Sequence, residues 1–101
     1  MLYVYRFNAD CGSAGSLDGM FVCADSGKAK LDKLIADKTY VHFGEVLGKH
    51  SDVGGAIEPD EITLVEASQD DIAAMLRVFG LTGLDDWCTI SGYNPLDYAN
   101  V

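Results

Sequence analysis

The side chains best suited to chemistry lie together in the middle of this chain. Two histidines, two carboxylates and a lysine fall within one short block: His42, Glu45, Lys49, His50 and Asp52. Imidazole and carboxylate groups serve as metal ligands and general bases, and an ammonium group binds anions. The block therefore indicates one candidate function, a ligand-binding domain or small enzyme that uses this loop.

The spacing within the block argues against a metal centre. Residues 39–47 read as a strand, and side chains three positions apart in a strand point to opposite faces of the sheet. His42 and Glu45 can therefore bind one ion together only across a bulge. We expect no metal site and no cofactor.

Two further patterns also fall short of a catalytic or nucleotide site. Residues 44–51 resemble a phosphate-binding loop, but the two glycines are one residue too close and no helix follows them. Cys11 and Cys23 are candidate nucleophiles with a histidine as base, but no oxyanion-binding loop accompanies them. We therefore expect a protein that is not an enzyme.

Cysteine usage and hydropathy indicate the compartment. The chain has three cysteines, so one thiol remains whatever disulfide forms. Reduced thiols in a cytoplasmic protein are the favoured interpretation, and a disulfide between Cys11 and Cys23 across the first hairpin is the alternative. No apolar run is long enough to span a membrane, and the first residues do not read as a secretory signal.

The charge of the chain is concentrated in its second half. The net charge is −9. From Met1 to His50 the acidic and basic side chains balance, whereas after His50 only Arg77 opposes the carboxylates. Such a surface repels a polyanion, so we expect no direct nucleic-acid binding. It can instead occupy a basic groove on another protein, or serve only to keep the chain in solution.

Some of these carboxylates have a local explanation, and the others are the candidate contacts. Asp70 and Asp71 lie at the start of a predicted helix, where negative charge interacts favourably with the helix dipole. Glu66 shares a face of the predicted strand with Ile62 and Leu64 and also has a local role. The remaining candidates for contact with a basic partner are Asp52, Glu58, Asp60, Glu61, Asp85 and Asp86.

The elements that must position these residues alternate between strands and helices. Residues 2–7, 20–24, 39–47 and 61–66 read as strands, and a long loop separates the first two. A helix follows Asp25 or Ser26, either of which can cap it, and a second runs from Ser68 to a stop at Gly80 with Phe79 in its apolar stripe. The pattern predicts one α+β domain over 1–101 in the order ββαββα. We expect an antiparallel or mixed sheet of about four strands, two helices on one face and an irregular tail over 90–101.

Two segments also resemble parts of known sequences. Residues 43–52, with Phe43-Gly44-Glu45 and Gly48-Lys49-His50-Ser51-Asp52, and residues 91–98 are similar to segments of small uncharacterised acidic proteins of phages and plasmids. The resemblance implies an accessory role. Short acidic proteins of phages and plasmids are often inhibitors that act by direct contact with another protein, so the resemblance implies this mode of action as well. The resemblance assigns no functional role to any residue of this chain.

These observations lead to one favoured function and two alternatives. The favoured one is a cytoplasmic acidic protein that inhibits by occupying a basic, nucleic-acid-binding surface of a host nuclease or defence component. The first alternative is the loop of Lys49, His50 and Asp52, with His42 and Glu45, as a ligand or enzyme site. The second is self-association through an exposed strand edge, so that the protein is a monomer or a homodimer.

Overall fold

The fold is taken from a computed structural model that describes residues 1–10, 15–43, 54–81 and 84–98. Its strands are β1 (Tyr3–Asp10), β2 (Ser16–Cys23), β3 (Tyr40–His42), β4 (Gly54–Ala56), β5 (Ile62–Val65) and β6 (Trp87–Gly92). Its helices are α1 (Asp25–Ala36), α2 (Gln69–Val78) and the short α3 (Pro95–Tyr98), and a 3-10 turn covers Pro59–Glu61.

Four of the strands form one antiparallel sheet in the order β5-β1-β2-β6, and β3 pairs with β4 in a small second sheet. In the larger sheet Tyr3 lies opposite Cys23, which lies opposite Trp87. We call this the Tyr3 end of the sheet. At the other end, the Asp10 end, Asp10 lies opposite Ser16. The chain therefore enters β5 near the Asp10 end and enters β6 at the Tyr3 end.

Both faces of this sheet are covered. Tyr5 and Phe7 of β1 pack in one cluster with Leu31 and Leu34 of α1. Val4 and Val22 pack in a second cluster with Ile72 and Leu76 of α2. Successive side chains of a strand point to opposite faces, so the two helices lie on opposite sides of the sheet.

The predicted α+β class is thus confirmed. The prediction that both helices pack on one face of the sheet is wrong. The first strand carries apolar side chains on both faces, because Leu2 and Val4 alternate with Tyr3, Tyr5 and Phe7. Each face needs its own cover. The predicted order is also incomplete, because it lacks β4 and β6.

The ends of α2 follow the prediction. The Ser68 hydroxyl accepts a hydrogen bond from the Asp71 amide at 3.1 Å, which makes Ser68 the N-cap. At the other end Gly80 has φ +71°, and the Leu81 amide donates to the Leu76 carbonyl at 2.8 Å. This is the backbone pattern of a helix that ends on a left-handed glycine. Phe79 departs from the predicted apolar stripe, because its side chain is 58% exposed.

The start of α1 differs from the prediction. Ala24 is the N-cap, and no side chain caps the helix. The Ser26 hydroxyl instead donates to Asp86 at 2.6 Å. The Ser26 side chain, which local rules predict as a helix cap, therefore binds a residue that is distant in the sequence.

The tail is ordered by contacts with the sheet, so the expectation of an irregular segment over 90–101 is wrong for residues 90–98. β6 continues to Gly92, and α3 follows it. Asp97 accepts hydrogen bonds from Trp87 Nε1 at 2.8 Å and Thr89 Oγ1 at 2.7 Å. The Leu96 amide donates to Asn94 Oδ1 at 3.0 Å, so the Asn94-Pro95 pair starts a helix.

The first hairpin is tighter than expected. β2 begins at Ser16, inside the segment that the sequence assigns to a long loop. Asn8 lies opposite Asp18, and its side-chain amide donates to the Asp18 carboxylate. Cross-strand pairing with β1 sets where β2 begins, although glycine and serine residues in this segment are typical of a loop.

Candidate functional site

The block of reactive residues falls mostly outside the described part of the chain. His42 ends β3 and is half-buried, and its carbonyl oxygen accepts from the Tyr93 hydroxyl at 3.1 Å. Glu45, Lys49, His50 and Asp52 lie outside the described residues. The alternative of a ligand or enzyme loop therefore stays a prediction.

Within the described ranges, no three His, Cys, Asp or Glu side chains are placed so that they could hold a metal ion.

Cys23 does not fit the role of a nucleophile. Its side chain is fully buried, and burial, with a smaller contribution from Cys88, raises the pKa of its thiol to about 12. The thiolate is the reactive form of cysteine, and it is almost absent at neutral pH under these conditions. Cys23 is also a free thiol, so the alternative of a Cys11–Cys23 disulfide is wrong.

The carboxylates predicted to contact a partner do not form one row. Glu58, Asp60 and Glu61 precede β5 near the Asp10 end of the sheet. Asp85 and Asp86 precede β6 at the Tyr3 end. Because β1 and β2 lie between β5 and β6, the two groups occupy opposite edges as well as opposite ends. They are separate surfaces.

Asp86 has a structural role in the second group. Its carboxylate accepts from Ser26 Oγ at 2.6 Å and from Lys30 Nζ at 3.0 Å, and these contacts lower its pKa. Lys30 Nζ also lies 5.2 Å from the centre of the Trp87 ring. Asp86 therefore fastens α1 to the start of β6, and a partner would have to compete with Lys30 for it.

In the first group, Glu58 and Glu61 are bound by backbone amides rather than by cationic side chains. Glu58 and Glu61 form a capping box across the 3-10 turn, in which the Glu58 amide donates to Glu61 Oε1 at 2.8 Å. Backbone amides carry no net charge, so this box does not neutralise either carboxylate. Among the described residues, the ion pairs are Met1 with Asp25, Lys28 with Asp32 and Lys30 with Asp86. None of them involves Glu58, Asp60 or Glu61.

A second set of carboxylates lies just beyond β5, where the sequence alone assigns only a local role. Glu66, Asp70 and Asp71 are all exposed, and they follow Val65 at the Tyr3 end of the strand. Asp70 and Asp71 do lie in the first turn of α2, as predicted. The sequence does contain a sign that these residues share a surface, because one short strand separates two runs of carboxylates.

The strand between these two sets is exposed. β5 is at the edge of the sheet, and the side chain of Leu64 is 51% exposed. A groove of about 270 Å³ borders the strand, lined largely by apolar side chains that include Leu2, Val4, Leu64 and Ile72. We name β5 and its flanking carboxylates the acidic edge; the carboxylates are Glu58, Asp60, Glu61, Glu66, Asp70 and Asp71.

No protein-family model, curated protein or solved structure matches this chain. Interpretation of the acidic edge therefore depends on its own geometry. In the portion of the chain that the structure describes, no helix is both long enough and apolar enough to cross a membrane.

Proposed function

We propose that this protein acts by binding a basic surface of another protein, and that the acidic edge is the contact. One observation carries the proposal: carboxylates flank an exposed edge strand on both sides, and none of them is in an ion pair among the described residues. Charges of one sign along a surface raise the rate of encounter with an opposite charge.

The class of partner follows from what the acidic edge can imitate. A row of carboxylates offers lysine and arginine side chains the same kind of anionic contact as a phosphate backbone. We infer inhibition by occupation, in which the protein covers a basic, nucleic-acid-binding surface of a host nuclease or defence component. The resemblance to phage and plasmid proteins supports this choice, and a cytoplasmic location belongs to the same proposal.

The structure refines which residues a test should change. Replacing Glu58 with Gln and Asp60 with Asn removes two negative charges from the acidic edge, while Gln at position 58 can still accept a hydrogen bond. The pair Asp32→Asn and Asp37→Asn removes two charges from the α1 region and is the control for net charge; it also breaks the ion pair between Asp32 and Lys28. Asp85→Asn tests the other predicted patch separately. Asp85 is exposed, whereas Asp86 is already in an ion pair with Lys30.

The experiment is capture of a partner from lysate of the source cell, followed by titration of the purified complex with salt and with DNA. We expect E58Q/D60N to weaken binding, D32N/D37N to leave it nearly unchanged, and DNA to compete with the protein. Binding should also fall steeply with added salt, because screening shortens the range of exposed charges to about 3 Å at 1 M. A complex that ignores salt and tolerates E58Q/D60N would exclude the acidic edge as the contact.

A further inference from the structure

We propose that β5 takes up an extended segment of its partner as a new strand of the sheet, and that this segment carries an apolar centre between two basic ends. This inference rests on the proposed function and adds the mode of recognition. Edge strands bind peptides in this way when their outer backbone groups are free to pair.

The free edge is the first argument. Within the described ranges β5 pairs with β1 alone, so its outer N–H and C=O groups face away from the sheet. Natural edges are often blocked by lysine, proline or a bulge. β5 contains none of these, since its residues are Ile62, Thr63, Leu64 and Val65 in a regular register.

The opposite edge shows the contrast. The pairing of β2 with β6 shifts register between Met20 and Phe21, which marks a bulge. α3 also lies against β6, where Asp97 binds the side chains of Trp87 and Thr89. Of the two edge strands, β5 is therefore the one that pairs with its neighbour in a regular register.

The apolar centre of the segment follows from Leu64. This side chain lies in the middle of β5, opposite Tyr5 on β1, and about half of its surface is exposed at 51%. Side chains directly across from each other on neighbouring strands lie within about 5.5 Å and pack together. A branched or apolar residue of the incoming strand directly across from Leu64 would cover it on the face of Tyr5, and the next residue, which points to the opposite face, would approach the groove beside Val65.

The basic ends follow from the two carboxylate sets. Glu58, Asp60 and Glu61 lie before the strand, and Glu66, Asp70 and Asp71 lie after it. A strand of this length spans ~13 Å, so both ends of a short segment meet carboxylates at once. Lysine or arginine at each end fits this arrangement.

The same charges disfavour a second copy of this chain as the occupant. Antiparallel pairing of two β5 strands would set the carboxylates before one strand against those after the other. Parallel pairing would set each group against its own copy. Either arrangement opposes like charges, which destabilises a strand pair. Self-association through this edge is therefore the weaker use of it.

The test uses the full chain and a defined probe. The probe is an acetylated, amidated peptide with two lysines at each end and Val-Thr-Val-Thr between them. Its control has the same sequence with methyl groups on the four central backbone amides, so it keeps the charge but cannot donate hydrogen bonds to a sheet. We expect the probe to slow amide hydrogen exchange at residues 62–65, and the control to bind at least ~10-fold more weakly.

Variants provide an independent measurement. Leu64→Lys adds a blocking charge to β5, and Ser91→Lys makes the same charge change at an exposed position of β6. Because the added charge repels both peptides alike, we expect L64K to weaken binding of the probe at least ~10-fold more than binding of the methylated control, and S91K to change neither. The peptide pair on the unmodified protein decides the matter if L64K does not fold.

Each outcome separates the two proposals. If both peptides bind equally and residues 62–65 show no slowing, strand addition is overturned while contact with a basic partner stands. Failure of the probe at millimolar concentration, with salt-sensitive capture of a partner intact, also overturns strand addition. Slow exchange at 62–65 without peptide, together with a dimeric mass, assigns the edge to a second copy.

Discussion

The side-chain amide of Gln69 is hydrogen-bonded to both backbone groups of Leu2. The Leu2 amide donates to Gln69 Oε1 at 2.7 Å, and Gln69 Nε2 donates to the Leu2 carbonyl at 2.8 Å. The pairing between β1 and β5 ends at Val4 and Val65. The Gln69 side chain therefore extends the hydrogen bonding between these two parts of the chain beyond the last strand pair. It holds the first turn of α2, and with it Asp70 and Asp71, against the Tyr3 end of the sheet.

Replacing Gln69 with Ala should loosen this junction. Both hydrogen bonds are lost, and each exposed bond of this kind contributes about 0.5–1.5 kcal/mol. We expect the free energy of unfolding to fall by ~1–3 kcal/mol, measured by urea titration with the fluorescence of Trp87, the single tryptophan.

Gln69→Glu is the matched control for this substitution. Its carboxylate can still accept from the Leu2 amide but cannot donate to the Leu2 carbonyl. It should therefore fall between the wild type and Q69A. An alanine variant as stable as the wild type would show that the amide contact contributes nothing.

Gly27 gives a second prediction, because α1 passes unusually close to the segment before β6. A Cβ atom at this position would lie 2.1 Å from the carbonyl oxygen of Asp86. Alanine favours a helix over glycine by about 1 kcal/mol, but overpacking of this kind costs about 1–3 kcal/mol. We expect Gly27→Ala to lower the midpoint of thermal unfolding despite its better helix propensity.

The control for this substitution is Gly55→Ala in β4, where a Cβ would meet nothing within 4 Å. G55A should unfold near the wild-type temperature. If G27A were as stable as G55A, the close approach of α1 to Asp86 would be wrong. Circular dichroism at 222 nm follows both transitions.

The features that the sequence predicts correctly are those that depend on interactions between residues close together in the chain. Ser68 and Gly80 bound α2 because capping and the left-handed stop are local, and the first strand is evident from its aromatic and branched residues. The side of the sheet that each helix covers was not local information. It depends on the register between β1 and β2, which brings Val4 and Val22 together on one face.

The candidate site shows the same division. Asp60 and Asp85 are both exposed, as the sequence suggested, but only strand order reveals that they lie on opposite edges. The role of Asp86 was hidden for a similar reason, because its partners Ser26 and Lys30 are distant in the chain. Long-range pairing therefore places the two predicted groups of carboxylates on separate surfaces of the protein.

Cys23 predicts a pH dependence of stability. Burial raises the pKa of its thiol from an ordinary value of 9.0 to about 12 in the folded protein. Between these two values the unfolded chain has lost a proton that the folded chain still holds. Stability therefore falls as the pH rises, because the unfolded state then binds fewer protons. The contribution is fully present below pH 9.0 and is lost as the pH approaches 12.

The measurement is the free energy of unfolding at a series of pH values above 8, for the wild type and for Cys23→Ala. Tyr5 contributes in the same direction, since burial also raises its pKa, so some decline should remain in the variant. We expect the decline to be steeper in the wild type than in C23A. Cys88→Ala is the matched control, because burial raises the pKa of Cys88 as well but its side chain is only partly buried. Parallel curves for the wild type and C23A would mean that the Cys23 thiol is not held protonated by the fold.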